Sequence, residues 1–171
     1  MNAIRILALS LAVVAMPCSL PAAAQAPPEN PQIDYAGFVD LAGELAEYRD
    51  GRRLSWVEFA RQAQAEGAIL LDARSESAFA AGHIEGAVNL PLPDFTAERL
   101  AEVIGPNTDR SIYIYCNNNF ADDRPPVPMK RAQLALNIQT FINLVGYGYG
   151  NVWELADVIR TDDAGVEWAS L

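Results

Sequence analysis

Residues 111–120 read Ser-Ile-Tyr-Ile-Tyr-Cys-Asn-Asn-Asn-Phe. The β-branched and aromatic run predicts a short buried strand, and Cys116 stands where that strand ends. The asparagines tolerate left-handed backbone angles, and they open a proline-rich loop that runs to Pro128. A helix is predicted after the loop. Because unpaired N–H groups and the positive end of a helix dipole favour a thiolate, this order of elements predicts a lowered pKa for Cys116.

The segments on either side of this strand alternate between strand and helix patterns. Further strands are predicted over residues 68–71, 87–90 and 152–155, helices over 57–63, 75–81, 134–146 and just before Gly105, and a turn or helix at the C-terminus. This alternation predicts an α/β fold with a mainly parallel central sheet flanked by helices on both faces. Ligands of such sheets bind at the carboxyl ends of the strands, which is where Cys116 lies.

Composition and charge exclude some classes of partner. The chain has 171 residues, of which 51% are hydrophobic, so it can build one ordinary domain with a core. It carries 12 basic and 22 acidic residues, a formal net charge of −10. Nucleic acids and anionic membrane surfaces are therefore not expected partners, and an anionic substrate would need a local positive pocket.

The N-terminus has the pattern of a secretory signal peptide. Arg5 precedes an apolar stretch over residues 6–16, and three alanines at 22–24 offer a cleavage site, so we predict a signal peptide over residues 1–24. A membrane anchor is disfavoured because the run is shorter than the roughly 20 residues that span a bilayer. Lipidation of Cys18 is disfavoured because no small residue directly precedes it. We expect an exported protein, periplasmic or secreted, without stable membrane insertion after cleavage.

The remaining chain divides into two predicted parts. Residues 25–54 form an N-terminal extension with a proline-rich lead-in and one amphipathic helix, and residues 55–171 form the main domain. After cleavage Cys116 is the lone thiol, so it cannot form an internal disulfide. A lone cysteine of an exported protein is either buried and inert or reactive and used, and the strand-end position favours the reactive alternative.

Two segments carry a family resemblance. Asp72-Ala73-Arg74, and then Gly-His-Ile-Glu-Gly-Ala over residues 82–87, resemble the Asp-x-Arg and Gly-His-Ile-x-Gly-Ala signature of the rhodanese-like domains. The resemblance covers roughly residues 55–168. It implies a small α/β domain without a cofactor, in which Cys116 accepts a sulfane sulfur from a thiosulfate-like donor, holds it as a persulfide and passes it to a thiophilic acceptor. It also implies that Asp72, Arg74 and His83 make structural hydrogen bonds.

The loop after Cys116 departs from the family pattern. Active rhodaneses place a glycine and a basic residue close after the cysteine, whereas here the first arginine, Arg124, comes eight positions later and no glycine intervenes. Prolines cannot donate N–H groups, so a cradle must come from residues 117–123, where Asp122 and Asp123 would oppose an anion if they faced inward. The predicted substrate-binding residues are Asn117, Asn118, Asn119, Phe120, Arg124, Lys130 and Arg131.

Four functions remain open from the sequence. The first is a sulfurtransferase that uses Cys116 on a small sulfur-containing anion, with a thiol or similar acceptor. Phosphate or arsenate chemistry is disfavoured because Arg124 is misplaced for a cysteine-to-arginine loop. The third is a catalytically weak binding or sulfur-sensing module of the cell envelope, with a protein partner at the long loop. The fourth is a redox relay without its own resolving thiol. With His83 as the single histidine, neither a metal site nor a Ser-His-Asp triad is expected.

Overall fold

The predicted strand that precedes Cys116 lies at the centre of a five-stranded parallel sheet. The computed structural model describes residues 30–171. The strands of this sheet are β1 (Arg53–Leu54), β2 (Ile69–Asp72), β4 (Val88–Asn89), β5 (Ile112–Tyr115) and β6 (Val152–Leu155). Their spatial order is β1-β6-β5-β2-β4, and every neighbouring pair is parallel. Since β5 has a neighbouring strand on each side, its C-terminal end lies in the middle of the row of strand ends.

Within residues 30–171, six α-helices connect and cover the strands. They are α1 (Tyr35–Glu44), α2 (Ala46–Asp50), α3 (Trp56–Ala63), α4 (Glu76–Ala81), α5 (Ala97–Val103) and α6 (Leu136–Gly146). Side-chain caps set several starts: Ser55 accepts the N–H of Glu58 at α3, and Ser75 and Thr96 do the same one turn into α4 and α5. These hydroxyls satisfy N–H groups that a helix start otherwise leaves unpaired.

Alternate side chains of the strands divide the interior into two cores. Ile112 and Ile114 of β5 pack in one cluster with residues of α5 and α6, such as Leu100 and Phe141. Tyr113 and Tyr115 point the other way into a second cluster that includes α3. Helices therefore cover both faces of a parallel sheet, which confirms the predicted α/β fold class.

Two predicted terminal elements differ from the structure. Where the sequence indicates one helix in the N-terminal extension, the chain forms α1 and α2, and β1 then pairs with β6 at the edge of the sheet. Turns occur between residues 161 and 165, as predicted for the C-terminal segment, but Trp168, expected in a turn or helix, lies in β7 (Trp168–Ala169), which pairs antiparallel with β3 (His83–Ile84). That strand satisfies backbone groups of β3, a long-range pairing that local periodicity does not indicate.

The N-terminal predictions fall outside the described residues. The signal peptide over residues 1–24, and Cys18 within it, are not among them. Residues 34–171 form one compact unit. Within residues 30–171, no helix combines the length and the apolar character that crossing a membrane requires.

Candidate functional site

Cys116 directly follows β5 and is held in a tight turn. Only 1% of the residue is exposed, and Asn117–Asn119 form a 3-10 turn. Backbone N–H groups of Asn118, Leu136 and Asn137 are directed at the thiol. Leu136 and Asn137 are the first two residues of α6, so the sulfur lies at a helix N-terminus, as predicted.

The predicted lowering of the Cys116 pKa is wrong in sign. Burial raises the pKa of the thiol, and the N–H groups of Asn137 and Asn118 act in the opposite direction without outweighing it. The nearby Glu154 carboxylate raises the pKa further, whereas the Leu136 N–H lowers it. Removal from water penalises a thiolate more than these dipoles stabilise it. The resting site therefore holds a neutral thiol.

Two residues predicted to bind substrate belong to the turn and the core instead. The side chain of Asn119 accepts a hydrogen bond from the Cys116 N–H through Oδ1 at 2.9 Å and donates to the Leu155 carbonyl at 2.8 Å. Its side-chain amide is therefore occupied by hydrogen bonds to the backbone. Phe120 is 0% exposed and packs edge to face against Tyr115, with ring centroids 6.0 Å apart. Their assignment as substrate-binding residues is corrected, because burial and internal hydrogen bonds occupy both side chains.

The long loop folds back over the turn. Asn117 donates through Nδ2 to the Pro128 carbonyl at 2.8 Å. Asn118 and Lys130 exchange two hydrogen bonds, of 2.7 Å from Nδ2 to the Lys130 carbonyl and 3.2 Å from the Lys130 N–H to Oδ1. The asparagines after the cysteine therefore anchor the returning segment, 128–130, beside the thiol.

A cavity of about 330 Å³ lies near the Cys116 turn, although Cys116 itself is not part of its lining. Its walls include Asn117, which follows the cysteine, and Leu136, whose N–H faces the sulfur. Arg74 and Lys130 also line it and give it a basic lining within an acidic protein. A small anion fits the volume and charge of this cavity.

Two of the three predicted cations lie outside the cavity. Arg124 is exposed and faces Asp122 at 3.6 Å, and Arg131 is exposed and is not part of the cavity wall. Of the three predicted cations, Lys130 alone lines the cavity. The two loop acids do not oppose an anion there: Asp122 accepts the Thr161 N–H at 3.0 Å, and Asp123 accepts a backbone N–H of the loop at 2.8 Å.

Asp72 and Arg74 form a buried ion pair behind the cavity. The Arg74 Nη2 lies 2.5 Å from the Asp72 Oδ2, and the Tyr115 hydroxyl donates to the same oxygen at 2.7 Å. Arg74 also donates to the carbonyls of Gly82 and Pro126, at 2.8 and 3.0 Å. The pair thus ties β2 and β5 to the end of α4 and to the long loop, a structural role as the resemblance implied.

His83 is likewise a structural residue. Its Nδ1 lies 2.8 Å from the Phe79 carbonyl, and the two rings stack with centroids 3.7 Å apart. Across residues 30–171, no group of three or more His, Cys, Asp or Glu side chains is placed to hold a metal ion.

Local sequence patterns did not indicate three further residues around the Cys116 turn. Glu154 on β6 is buried and is bonded by Arg49 of α2, and Asn137 of α6 reaches the same carboxylate. In the sequence, Glu154 is only one position of a strand and Arg49 an exposed helix charge, so no local signal pointed to either. The partners are 105 residues apart in the chain.

The fold and site define an α/β domain with a cysteine at the end of the central parallel strand, under amides of a helix N-terminus. Residues 55–156 match the family model described as Rhodanese-like domain, and the chain belongs to this family. Membership supports a place in the sulfurtransferase superfamily.

Two curated proteins are similar to parts of the chain. The uncharacterized protein YqhL of Bacillus subtilis is 31% identical over 101 residues, which cover 58% of this chain and 75% of YqhL. The HTH-type transcriptional regulator Rv0324 of Mycobacterium tuberculosis is 40% identical over 63 residues, 37% of this chain. The match spans only 26% of that regulator's length.

Solved structures of rhodanese-like domains are also similar to the chain. The solution NMR structure of the rhodanese-like domain of the Alr3790 protein from Anabaena sp. has 23% identity and a TM-score of 0.49, and the match covers 70% of this chain and 80% of that domain. A rhodanese with anions from E. coli has 22% identity and a TM-score of 0.40, with 61% of this chain and 99% of that chain covered. The family assignment rests on the family model.

Proposed function

We propose that the protein is a sulfurtransferase that carries sulfane sulfur as a persulfide on Cys116. The observation that carries this proposal is the position of Cys116, between the end of β5 and the start of α6, where backbone N–H groups of Asn118, Leu136 and Asn137 act to lower the thiol pKa. Such a group of amides at a helix N-terminus stabilises an anionic sulfur when the site is closed to water.

The reaction follows from nucleophilic substitution at sulfur. The thiol proton passes to solvent, and the thiolate attacks the outer sulfur of a thiosulfate-like donor. The S–S bond of thiosulfate breaks, sulfite leaves with its electron pair, and the outer sulfur remains on Cys116 as a persulfide anion. A thiophilic acceptor then attacks that outer sulfur, and Cys116 leaves as the thiolate.

The basic cavity supports an anionic donor. Lys130 and Arg74 line it, although Arg74 is already paired with Asp72, so Lys130 supplies the more available positive charge. A local cation of this kind offsets the long-range repulsion from a protein with a net charge of −10.

Burial of the thiol requires a movement before reaction. Because Cys116 is 1% exposed, the returning loop segment must shift for a donor to reach the sulfur. That segment carries Met129, which is 53% exposed, and it is held to the turn mainly by the hydrogen bonds of Asn117 and Asn118. Few buried apolar contacts make local opening inexpensive.

A second candidate function is a binding or sulfur-sensing module with little turnover. The enclosed thiol and its raised pKa favour this alternative, because both slow nucleophilic attack. Exposed Met129 and Leu134 on the long loop offer apolar contacts to a protein partner there.

The two candidates are separated by a sulfur-transfer assay on the full chain. We compare Cys18→Ser, in which Cys116 is the sole thiol, with Cys18→Ser/Cys116→Ser. The proposal expects thiocyanate formation from thiosulfate and cyanide, and a gain of one sulfur atom by intact mass after donor treatment, only where Cys116 is present. Equal rates in the two proteins and no added sulfur would contradict it and favour the binding module.

We also propose that the protein acts after export, in the periplasm or outside the cell. The signal-like pattern over residues 1–24 supports this proposal. The mass of the protein recovered from a fractionated Gram-negative expression host tests it. Export predicts an extracytoplasmic chain that begins near Gln25, and a full-length cytoplasmic chain would contradict it.

A further inference from the structure

Unpaired buried polar atoms gather on one side of the Cys116 turn. Among the described residues, Arg49 Nε, Asn137 Oδ1, Thr140 Oγ1 and Glu154 Oε2 are buried without a hydrogen-bond partner. Through their other atoms, three of these residues are also connected: Arg49 and Asn137 both donate hydrogen bonds to Glu154. Since buried polar groups without partners are costly, this cluster is a candidate for a role beyond packing.

An unbroken chain of hydrogen bonds leads from α2 to the cysteine. Arg49 Nη2 donates to Glu154 Oε1 at 2.6 Å, and Asn137 Nδ2 donates to the same oxygen at 3.3 Å. Asn137 Nδ2 also donates to Asn119 Oδ1 at 2.9 Å, the oxygen that accepts the Cys116 N–H at 2.9 Å. Side chains thus make every link up to the backbone of the cysteine itself.

Asn137 connects this chain of hydrogen bonds to the thiol by a second route. Its backbone N–H is directed at the Cys116 sulfur, while its side chain bridges Asn119 and Glu154. A change in the position of the Glu154 carboxylate is therefore passed both to the turn and to an amide of the cradle.

We propose that Arg49, which precedes the family-matched segment, is a positioning residue for Cys116 and acts through Glu154. The side chain of Glu154 is 6% exposed, and that of Arg49 is 23% exposed. Arg49 neutralises and orients a carboxylate whose remaining bond, from Asn137, supplies no counter-charge. The N-terminal extension thus completes the site of the rhodanese-like domain.

The charges around the turn determine in which direction the loss of Arg49 changes the ionisation of Cys116. They are Glu154 on β6 with Arg49 on α2, the Asp72–Arg74 pair at the end of β2, and Lys130 in the returning loop. Of these, Glu154 is the charge that acts on the thiol directly and disfavours its ionisation. Loss of Arg49 strengthens that effect, because it removes the positive charge that compensates the carboxylate.

The test measures the pH profile of Cys116 alkylation in the full chain carrying Cys18→Ser. The inference rests on Cys116 as the reactive thiol of the proposed function, but this readout does not need sulfur transfer, so the two can fail separately. The variants are Arg49→Met, Arg49→Lys, Glu154→Gln and the Arg49→Met/Glu154→Gln pair. Arg99→Met is the control, since Arg99 is an exposed arginine of α5 that pairs with Glu102.

We expect Arg49→Met to move the profile upward by about one pH unit, the scale of an unpaired charge close to a titrating group. Arg49→Lys and Arg99→Met should stay close to the parent profile, and Glu154→Gln should move it downward. In the Glu154→Gln background, Arg49→Met should have no further effect. No upward shift, or a shift that persists in that background, would overturn the proposal. If Arg49→Met does not fold, Arg49→Gln, which removes the charge and keeps a donor, replaces it.

Discussion

Replacing Arg74 by methionine should destabilise the domain strongly. Its guanidinium is buried and holds the Asp72 carboxylate with Nε and Nη2, at 2.9 Å to Oδ1 and 2.5 Å to Oδ2. Burial opposes the charge of Arg74, but hydrogen bonding to Asp72 and its negative charge raise the arginine pKa, so Arg74 stays charged. The substitution therefore leaves an uncompensated charge in the interior.

The magnitude follows from the contacts that are lost. Breaking one partner of a buried ion pair costs about 3–5 kcal/mol. The carbonyls of Gly82 and Pro126 also lose a donor, at about 1 kcal/mol each if they stay dry. These terms share one cause and do not add fully, so we expect a loss of about 4 kcal/mol. Since a whole domain is stable by about 5–15 kcal/mol, Arg74→Met leaves it marginal.

Urea unfolding followed by circular dichroism measures this loss. Arg99→Met is the matched control, because Arg99 pairs with Glu102 at the exposed surface and should cost less than about 1 kcal/mol. Adding Asp72→Asn to Arg74→Met should recover part of the loss, since it removes the buried charge. A loss for Arg74→Met no larger than that of the control, or a double variant that recovers nothing, would refute the reasoning.

Three further outcomes are expected from substitutions in and around the site. Gly82→Ala should destabilise by about 1–3 kcal/mol and change tryptophan fluorescence, because its Cβ would overlap the Trp168 indole, whereas Gly43→Ala, in open space, should not destabilise. Tyr115→Phe removes a hydroxyl that donates to the buried carboxylate, and calorimetry should show a loss of about 1–3 kcal/mol. Burial raises the pKa of Cys116, so the folded protein holds the thiol proton more tightly than the unfolded chain does. The stability that this difference contributes is complete below the ordinary thiol pKa and is lost as pH rises through the pKa of the folded protein. Urea midpoints of wild type and Cys116→Ser should therefore diverge at alkaline pH, and parallel curves would contradict a raised pKa.

Local patterns predicted most of the fold. Alternating β-branched and aromatic residues marked β5, and Ser55 marked the start of α3 through its capping bond. The segment around His83 carried the family resemblance in consecutive residues of the chain. These features depend on residues a few positions apart, so they can be recognised from the sequence alone.

The tertiary structure decided the state of the thiol and the partners around it. The sequence indicated correctly that amides of a loop and a helix would face Cys116, but it did not indicate that the surrounding layers would bury the sulfur and raise its pKa. Nor did it indicate that Phe120 would fill the core, or that Arg49 would reach Glu154 across 105 residues. Burial and such contacts arise only when distant segments pack together, and the free energy of a charge depends on that packing far more than on its neighbours in the chain.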